Sequence, residues 1–148
     1  MTERLEEIRG FLRGILDILG ERGEVEIVPE EGRLYINLRG DFAAIPGGDP
    51  AFREALSQVL RLYLRRLRTR TPFLLDVNGE VRARERTLIA RAKELAERAL
   101  REGRRIELEP MPAAERRMIH LALADHPRVR TYSVGQGGNR HVVIEPRG

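Results

Sequence analysis

Residues 112–123 read PAAERRMIHLAL, and this stretch decides the fold of the C-terminal half of the chain. Pro112 suits the first turn of a helix, because its missing N–H would have no partner there in any case. The apolar residues that follow recur at helical spacing: Met118, Ile119, Ala122 and Leu123. The pattern predicts an amphipathic helix over 113–124. Arg116 and His120 stand four residues apart, so their side chains lie on one face of this helix.

Three short strands and one long helix surround this predicted helix. Alternating apolar residues predict strands at 106–108, 129–134 and 141–144. A flexible, glycine-rich segment, residues 135–139, joins the last two strands. Apolar residues at helical spacing predict a long helix at 82–102, upstream of all three strands.

The N-terminal half has its own set of predicted elements. Along the chain they are a helix at 3–19, a β-hairpin with its turn at 29–32, a Gly- and Pro-rich loop at 40–50, a helix from Phe52 to Leu67, and a strand at 73–77. We therefore predict an α+β fold with two three-stranded sheets, one in residues 1–79 and one in residues 80–148. The chain has no Gly/Ser-rich spacer, so we expect the 82–102 helix to be a joint that both halves share.

Composition limits the class of protein. The chain has 148 residues, of which 41% are hydrophobic and 34% charged, so it is too apolar for a disordered chain. Cysteine is absent, which excludes disulfides, thiolate catalysis and cysteine-bound metals. No apolar run approaches the ~18 residues that cross a membrane, and the acidic N-terminus is unlike a signal peptide. We therefore expect a cytoplasmic protein with no membrane insertion, no cofactor and no bound metal.

Positive charge is concentrated away from the N-terminus. Residues 1–50 hold 6 Arg against 11 Asp and Glu, whereas residues 51–148 hold 21 Lys and Arg against 12 acids. A basic region of this kind favours a polyanionic partner. The run from Arg61 to Arg70 is the densest part, and two interpretations stay open for it. It is either a stripe that tracks a phosphate backbone, or a solvated helix face neutralised by acids of the first helix or the hairpin.

Four short stretches carry a resemblance to a known family. They are LEPMP at 108–112, ERRMIH at 115–120, TYSVG at 131–135 and RHVVI at 140–144. Together they are similar to the R-three-H domain, named for its Arg-x-x-x-His motif, of the bacterial Jag, or sporulation-insertase-associated, proteins. In that family a KH domain comes directly before it, and the resemblance covers roughly residues 20 to 147. The implied fold is a type II KH-like sheet with helices, followed by a small R-three-H module.

The resemblance implies a non-catalytic protein that binds single-stranded RNA or DNA. Arg116 and His120 are the matched signature pair. An arginine fork can hold a phosphate through two hydrogen bonds, and a histidine can donate to phosphate or sugar or stack on a base. Further contacts are expected from polar side chains near the same edge: Arg117, Thr131, Ser133 and Arg140.

The KH-like half departs from the family at its binding loop. KH domains hold a nucleic-acid backbone with a Gly-x-x-Gly loop, usually with basic residues between the glycines. The corresponding loop, residues 45–50, keeps Gly47 and Gly48 but continues with Asp49 and Pro50. A negative charge and a residue without an N–H make this loop a poor phosphate site. We expect the half to serve as a scaffold or a pairing surface.

Two other functions can be weighed against nucleic-acid binding. In the first, the protein is an adaptor whose KH-like half pairs with a small KH-domain protein, as a homo- or heterodimer, in cell-envelope growth or sporulation. In the second, His120 with Glu115, Asp125 or Glu109 forms a general acid–base set of an enzyme. The sequence has no recognisable nucleophile motif and no paired histidines for a metal, so we do not favour an enzyme.

Overall fold

Helices and strands alternate along the chain in the order α-β-β-α-β, α, β-α-β-β. The computed structural model describes residues 2–45 and 49–148, and over these ranges it contains four α-helices and six strands. They are α1 (Thr2–Ile18), β1 (Glu24–Glu30), β2 (Arg33–Arg39), α2 (Pro50–Arg66), β3 (Phe73–Val77), α3 (Glu80–Glu102), β4 (Ile106–Glu107), α4 (Ala113–Leu123), β5 (Val129–Val134) and β6 (His141–Pro146). The chain divides into two units, Met1–Arg82 and Ala83–Gly148.

The sheet of the first unit has the order β1-β2-β3. β1 and β2 form an antiparallel hairpin, whereas β2 and β3 pair in parallel. Parallel pairing of successive strands needs a crossover, and α2 supplies it. One apolar cluster joins α1, α2 and the sheet, and its fully buried members include Ile8, Ile36, Leu60 and Val77.

The hairpin of the first unit is longer than predicted. We expected a turn over 29–32, but β1 continues through Pro29 to Glu30, and only Glu31 and Gly32 form the turn. β1 lies at the edge of its sheet, where a proline need not break a ladder bond. Gly32, the second of the two turn residues, has φ +85, a left-handed conformation that glycine adopts without steric cost.

A buried carboxylate connects the last strand of the first unit to the long helix. Asp76 is fully buried and accepts hydrogen bonds from the Tyr35 hydroxyl at 2.7 Å and from the N–H groups of Val81 at 2.9 Å and Arg82 at 3.1 Å. Burial, followed by the bond to Asp76, raises the pKa of Tyr35. Because these N–H groups belong to its first turn, α3 begins at Glu80 rather than at the predicted residue 82.

The sheet of the second unit has the order β4-β6-β5, and both pairings are antiparallel. A second apolar cluster joins this sheet to α3 and α4. The buried members from α3 are Ala92, Ala96 and Ala99, whose small side chains allow close packing. The larger members include Ile119 of α4 and Ile144 of β6, both with 0% exposure.

The predicted α+β fold with two three-stranded sheets is confirmed. Four details of the second unit differ from the prediction. β4 ends at Glu107, α4 ends at Leu123, β6 extends to Pro146, and the segment 135–139 contains a 3-10 turn at Gly137–Asn139. The predicted KH-loop residues Gly47 and Gly48 lie outside the described residues. In the described ranges, no helix has the length and apolar character needed to span a membrane.

Candidate nucleic-acid interface

His120 belongs to α4, and both nitrogens of its ring are hydrogen-bonded to side chains of β5. Its Nδ1 lies 2.7 Å from Thr131 Oγ1, and its Nε2 lies 3.0 Å from Ser133 Oγ. Thr131 and Ser133 are two residues apart on β5, so their side chains point to the same side of the strand. A neutral imidazole donates from one nitrogen and accepts at the other, and a hydroxyl can serve either need. The three residues therefore bind one another.

This pairing changes the role that was expected of three predicted contact residues. We expected His120, Thr131 and Ser133 to donate directly to a bound strand, but these side chains are already paired with one another. Burial, together with the charges of Arg116 and Arg140, lowers the pKa of His120. The imidazole is therefore neutral at physiological pH and connects α4 to an edge strand. Direct contact of these three side chains with nucleic acid stays a prediction.

Two arginines lie near this histidine, and Met111 bonds the side chain of one and the backbone of the other. Arg116 Nε donates to the Met111 carbonyl at 3.1 Å, and the Met111 N–H donates to the Arg140 carbonyl at 3.3 Å. Both arginines lie close enough to lower the pKa of His120 by their charge. In the part of the chain that the structure describes, the terminal nitrogens of Arg116 make no hydrogen bond, so its fork is open to a ligand.

The glycine-rich turn between β5 and β6 positions Arg140. Arg140 Nη1 donates to the Gly135 carbonyl at 2.8 Å, and the Arg140 N–H donates to the Gly137 carbonyl at 3.3 Å. Gly135 has φ +93, and a Cβ on it would stand 2.8 Å from the Asn139 carbonyl oxygen. Only glycine fits this position. The segment predicted to be flexible therefore has a defined turn that carries a side chain of the site.

The structure brings five of the six predicted contact residues together. We call this group the Arg–His cluster, and it consists of Arg116, His120, Thr131, Ser133 and Arg140. The sixth, Arg117, is exposed on α4 and has no ion pair or hydrogen bond through its side chain among the described residues.

Sequence reasoning missed a groove beside the Arg–His cluster. It has a volume of about 380 Å³, and its lining includes His120, Arg130, Tyr132 and Arg147. The Arg130 guanidinium lies 5.7 Å from the centre of the Tyr132 ring. The same guanidinium forms an ion pair with Glu145 at 2.9 Å. Tyr132 offers the kind of aromatic ring on which an unpaired base can stack. The aromatic residue between the two predicted hydroxyls was the available signal for it.

Met111 was also missed, because its contribution comes from backbone atoms. Its place between Pro110 and Pro112 is the only trace of this role in the sequence. Proline before α4 keeps the Met111 carbonyl and N–H outside the helix, where they are free to bond Arg116 and Arg140.

Two of the three carboxylates considered as acid–base partners of His120 pair with arginines. Glu115 pairs with Arg84 at 3.2 Å, and Glu109 pairs with Arg91. His126 and His141 each face one glutamate, and no group of three metal-ligating side chains occurs within the described ranges.

Comparison with known families defines the class of this second unit. Residues 86–146 match the R-three-H domain, the same domain that the four short stretches of sequence predicted. The second unit therefore contains an R-three-H domain, and the Arg–His cluster lies within the matched residues.

The whole chain is similar to RNA-binding proteins named KhpB, which are Jag-family proteins. It is 28% identical to KhpB of Bacillus subtilis over 144 residues, which cover 95% of this chain and 69% of that protein. It is 31% identical to KhpB of Streptococcus pneumoniae over 143 residues, covering 94% of this chain and 43% of that protein. For KhpB of Clostridium symbiosum the identity is 30% over 146 residues, with coverages of 96% and 63%. The predicted resemblance to the Jag family is confirmed, although the chain spans less than two thirds of two of these relatives.

Proposed function

We propose that the chain binds single-stranded RNA through the Arg–His cluster, without catalysing a reaction. The observation that carries this proposal is that Arg116 and Arg140 both lie near His120, whose two ring nitrogens are held by Thr131 and Ser133. Two cations near one imidazole favour an anion that both can contact, and a backbone phosphate is such an anion. The relatives are RNA-binding proteins by name, which favours RNA over DNA and a cytoplasmic location.

Each residue of the site has a distinct part in this proposal. Arg116 holds a phosphate through its two terminal nitrogens, while its Nε stays on the backbone of Met111. Arg140 brings a second cation from the β5–β6 turn. His120, through its two hydroxyl partners, is a positioning residue that keeps α4 against β5. Arg117, exposed and unpaired in the described structure, adds charge for a neighbouring phosphate.

The test is the affinity of the full chain for a short oligouridine, measured by fluorescence anisotropy over a range of salt concentrations. Arg116→Ala combined with Arg140→Ala removes two phosphate contacts. We expect the affinity at low salt to fall about tenfold or more. The slope of log affinity against log salt should decrease by about 1.4, because each contact with a single strand contributes about 0.7. Arg116→Lys keeps the charge but not the planar fork, so it should bind with intermediate affinity.

The matched control removes two positive charges from the same unit. Arg98 and Arg104 are exposed, and both pair with Glu102 at the end of α3. Arg98→Ala with Arg104→Ala should leave the affinity nearly unchanged. Equal affinities of the wild type and the Arg116/Arg140 variant would refute the proposal. Equal binding of a deoxyuridine strand would widen the ligand class to single-stranded nucleic acid of either kind.

An adaptor role of the first unit is a second candidate function. In this proposal residues 1–79 form a KH-like domain, and residues 80–148 form the R-three-H domain that follows it in the chain. Val59 and Leu62 favour it, because they are 45% and 57% exposed and lie three residues apart on α2. An apolar spot of this kind suits pairing with a second KH-like domain, in a homo- or heterodimer. Sedimentation equilibrium should show a dimer that Leu62→Asp dissociates. A wild type that stays monomeric at high concentration would refute the homodimer.

A further inference from the structure

The first unit carries a separate basic groove at the C-terminal end of α2. Its volume is about 610 Å³, and it opens between the end of this helix and the beginning of β3. We call it the α2–β3 groove, and the residues that give it its chemistry are Arg61, Arg65, Thr69, Arg70, Thr71 and Phe73.

Two of the three cations of the α2–β3 groove have no acidic partner in the part of the chain that the structure describes. Within the residues that the structure describes, Arg65 and Arg70 form no ion pair, and Arg61 has only a 3.7 Å contact with Glu54 of its own helix. Acids of α1 and the hairpin were one expected source of neutralisation, but Glu6, Glu7, Glu26 and Glu30 pair with other arginines. Arg65 and Arg70 are solvent-exposed without an acidic partner among the described residues, which favours the interpretation of the run as a phosphate-binding stripe.

The backbone at the end of α2 brings these side chains to one place. The Thr69 N–H donates to the Leu64 carbonyl at 3.1 Å and the Arg68 N–H to the Arg65 carbonyl at 3.0 Å, which is a Schellman motif. Arg68 has the left-handed φ of 60 that this motif requires. The chain turns back there, so that Arg70 lines the same groove as Arg65.

Stabilisation of the helix dipole does not account for this whole set of charges. The negative end of the dipole favours cations in the last turn of α2, which explains Arg65 and Arg66. Arg61 lies a turn earlier, and Arg70 lies beyond the end of the helix. Arg61 has Glu54 and the Phe73 ring as partners. Since the effect of the dipole is confined to the last turn, an anionic ligand is the better explanation for Arg70.

We propose that the α2–β3 groove binds the phosphates of a single-stranded nucleic acid, as a second contact site on the chain. Arg65 and Arg70 supply forks for phosphate oxygens. The hydroxyls of Thr69 and Thr71 hydrogen-bond to each other at 3.0 Å, which leaves one O–H of the pair as a neutral donor. Phe73 is half-buried in the groove, and the Arg61 guanidinium lies over its ring, 5.6 Å from the ring centre, so the two side chains form one wall of the groove. An aromatic wall beside guanidinium groups suits a nucleotide better than an acidic peptide.

The α2–β3 groove is distinct from the predicted KH loop. That loop precedes Pro50, at the N-terminal end of α2, whereas the groove lies at the C-terminal end. A helix of 17 residues is about 25 Å long. The proposal rests on the proposed function only in its choice of ligand, because the groove and the Arg–His cluster belong to different units.

The test follows the backbone amide signals of the full chain by NMR as a short oligouridine is added. We expect shifts at residues 69–73, and we expect them to persist in Arg116→Ala with Arg140→Ala. Arg65→Ala with Arg70→Ala should abolish these shifts and lower the salt slope of the affinity by about 1.4. Both side chains are exposed, so the fold should be kept. Arg65→Lys with Arg70→Lys keeps both charges and should retain most of the affinity.

The matched control is Arg22→Ala with Arg39→Ala, which removes two charges at the opposite end of the same sheet. Leu34 pairs with Phe73 in the parallel register, and Arg39 lies five residues further along β2, about 17 Å away. This control should leave the shifts at residues 69–73 unchanged.

Four outcomes separate the two proposals. Shifts confined to the Arg–His cluster would overturn the α2–β3 site and leave the proposed function standing. Shifts confined to residues 69–73 would support the α2–β3 site and overturn the proposed function of the Arg–His cluster. The absence of shifts at both places would refute both proposals. An equal response to inorganic phosphate at the same phosphate concentration, or to polyglutamate of equal charge, would overturn the assignment of the groove to a nucleic-acid strand.

Discussion

At the scale of single residues, His120 connects the candidate site to the stability of its unit. Its pKa lies below the usual 6.5, first because the ring is partly buried and then because Arg116 and Arg140 are near. Because the pKa of His120 is lower in the native state than in the unfolded chain, the unfolded chain binds more protons at His120 than the native state does near pH 6.5. The contribution of His120 to the free energy of unfolding is complete above about pH 6.5 and decreases as the pH falls.

His120→Ala tests this linkage. The variant should lose about 1–2 kcal/mol of unfolding free energy at pH 8, through the lost hydrogen bonds and the space left by the ring. The difference from the wild type should shrink as the pH falls towards 5. Urea denaturation of the wild type and the variant between pH 5 and pH 8 measures this difference in unfolding free energy.

His141 contributes to stability with the opposite pH dependence, so the effect of His120 has to be measured as the difference between the wild type and His120→Ala. The hydrogen bond to the Asn139 carbonyl, followed by Glu107, raises the pKa of His141, so its stabilising contribution is present at low pH and is lost as the pH rises. This contribution is common to the wild type and His120→Ala, and it cancels in the difference. A difference that is constant from about pH 5 to 8 would contradict the lowered pKa of His120.

At the scale of elements, the β5–β6 turn decides where Arg140 lies. Gly135→Ala places a Cβ 2.8 Å from the Asn139 carbonyl oxygen, at φ +93. We expect a loss of about 1–3 kcal/mol in stability, because the backbone strain and the clash both oppose the native turn. The RNA affinity should fall as far as in Arg140→Ala, since the turn carries that guanidinium. Thermal unfolding and anisotropy measure the two effects.

Gly137→Ala is the control for this prediction. Gly137 also has a positive φ, +58, but a Cβ there meets nothing within 4 Å. The variant should lose about 1 kcal/mol from the backbone conformation alone and keep the RNA affinity. An equal loss of affinity in the two variants would show that the position of Arg140 does not depend on Gly135.

At the scale of the whole molecule, each unit has an apolar core of its own residues. Asp76 is the polar connection within the first unit, between Tyr35 and the first turn of α3. Asp76→Ala leaves a buried hydroxyl and backbone N–H groups unpaired, and should cost about 3 kcal/mol or more. Asp76→Asn keeps an acceptor and should cost less.

Hydrogen exchange shows which unit responds to Asp76→Ala. The amides of β2 and β3 should lose protection, whereas those of β5 and β6 should keep it, because their hydrogen bonds belong to the other core. An equal loss of protection in both sheets would contradict this, and would mean that the two units unfold as one.

The sequence by itself determined the α+β class, the helices and strands, the separation of charge, and the shared face of Arg116 and His120. These features depend on residues near one another in the chain, because helical and strand spacing alone set which side chains share a face. It could also restrict the roles of Gly135 and Pro112, since glycine and proline limit the backbone locally.

Only the tertiary structure decided what the polar groups bind. His120 meets Thr131 and Ser133, eleven and thirteen residues away, and Asp76 meets Tyr35 across 41 residues. It likewise decided that Pro29 lies in an edge strand and that Arg65 and Arg70 line one groove. Such hydrogen bonds and ion pairs join groups far apart in the chain, so they depend on how the elements pack, and spacing along the sequence does not encode them.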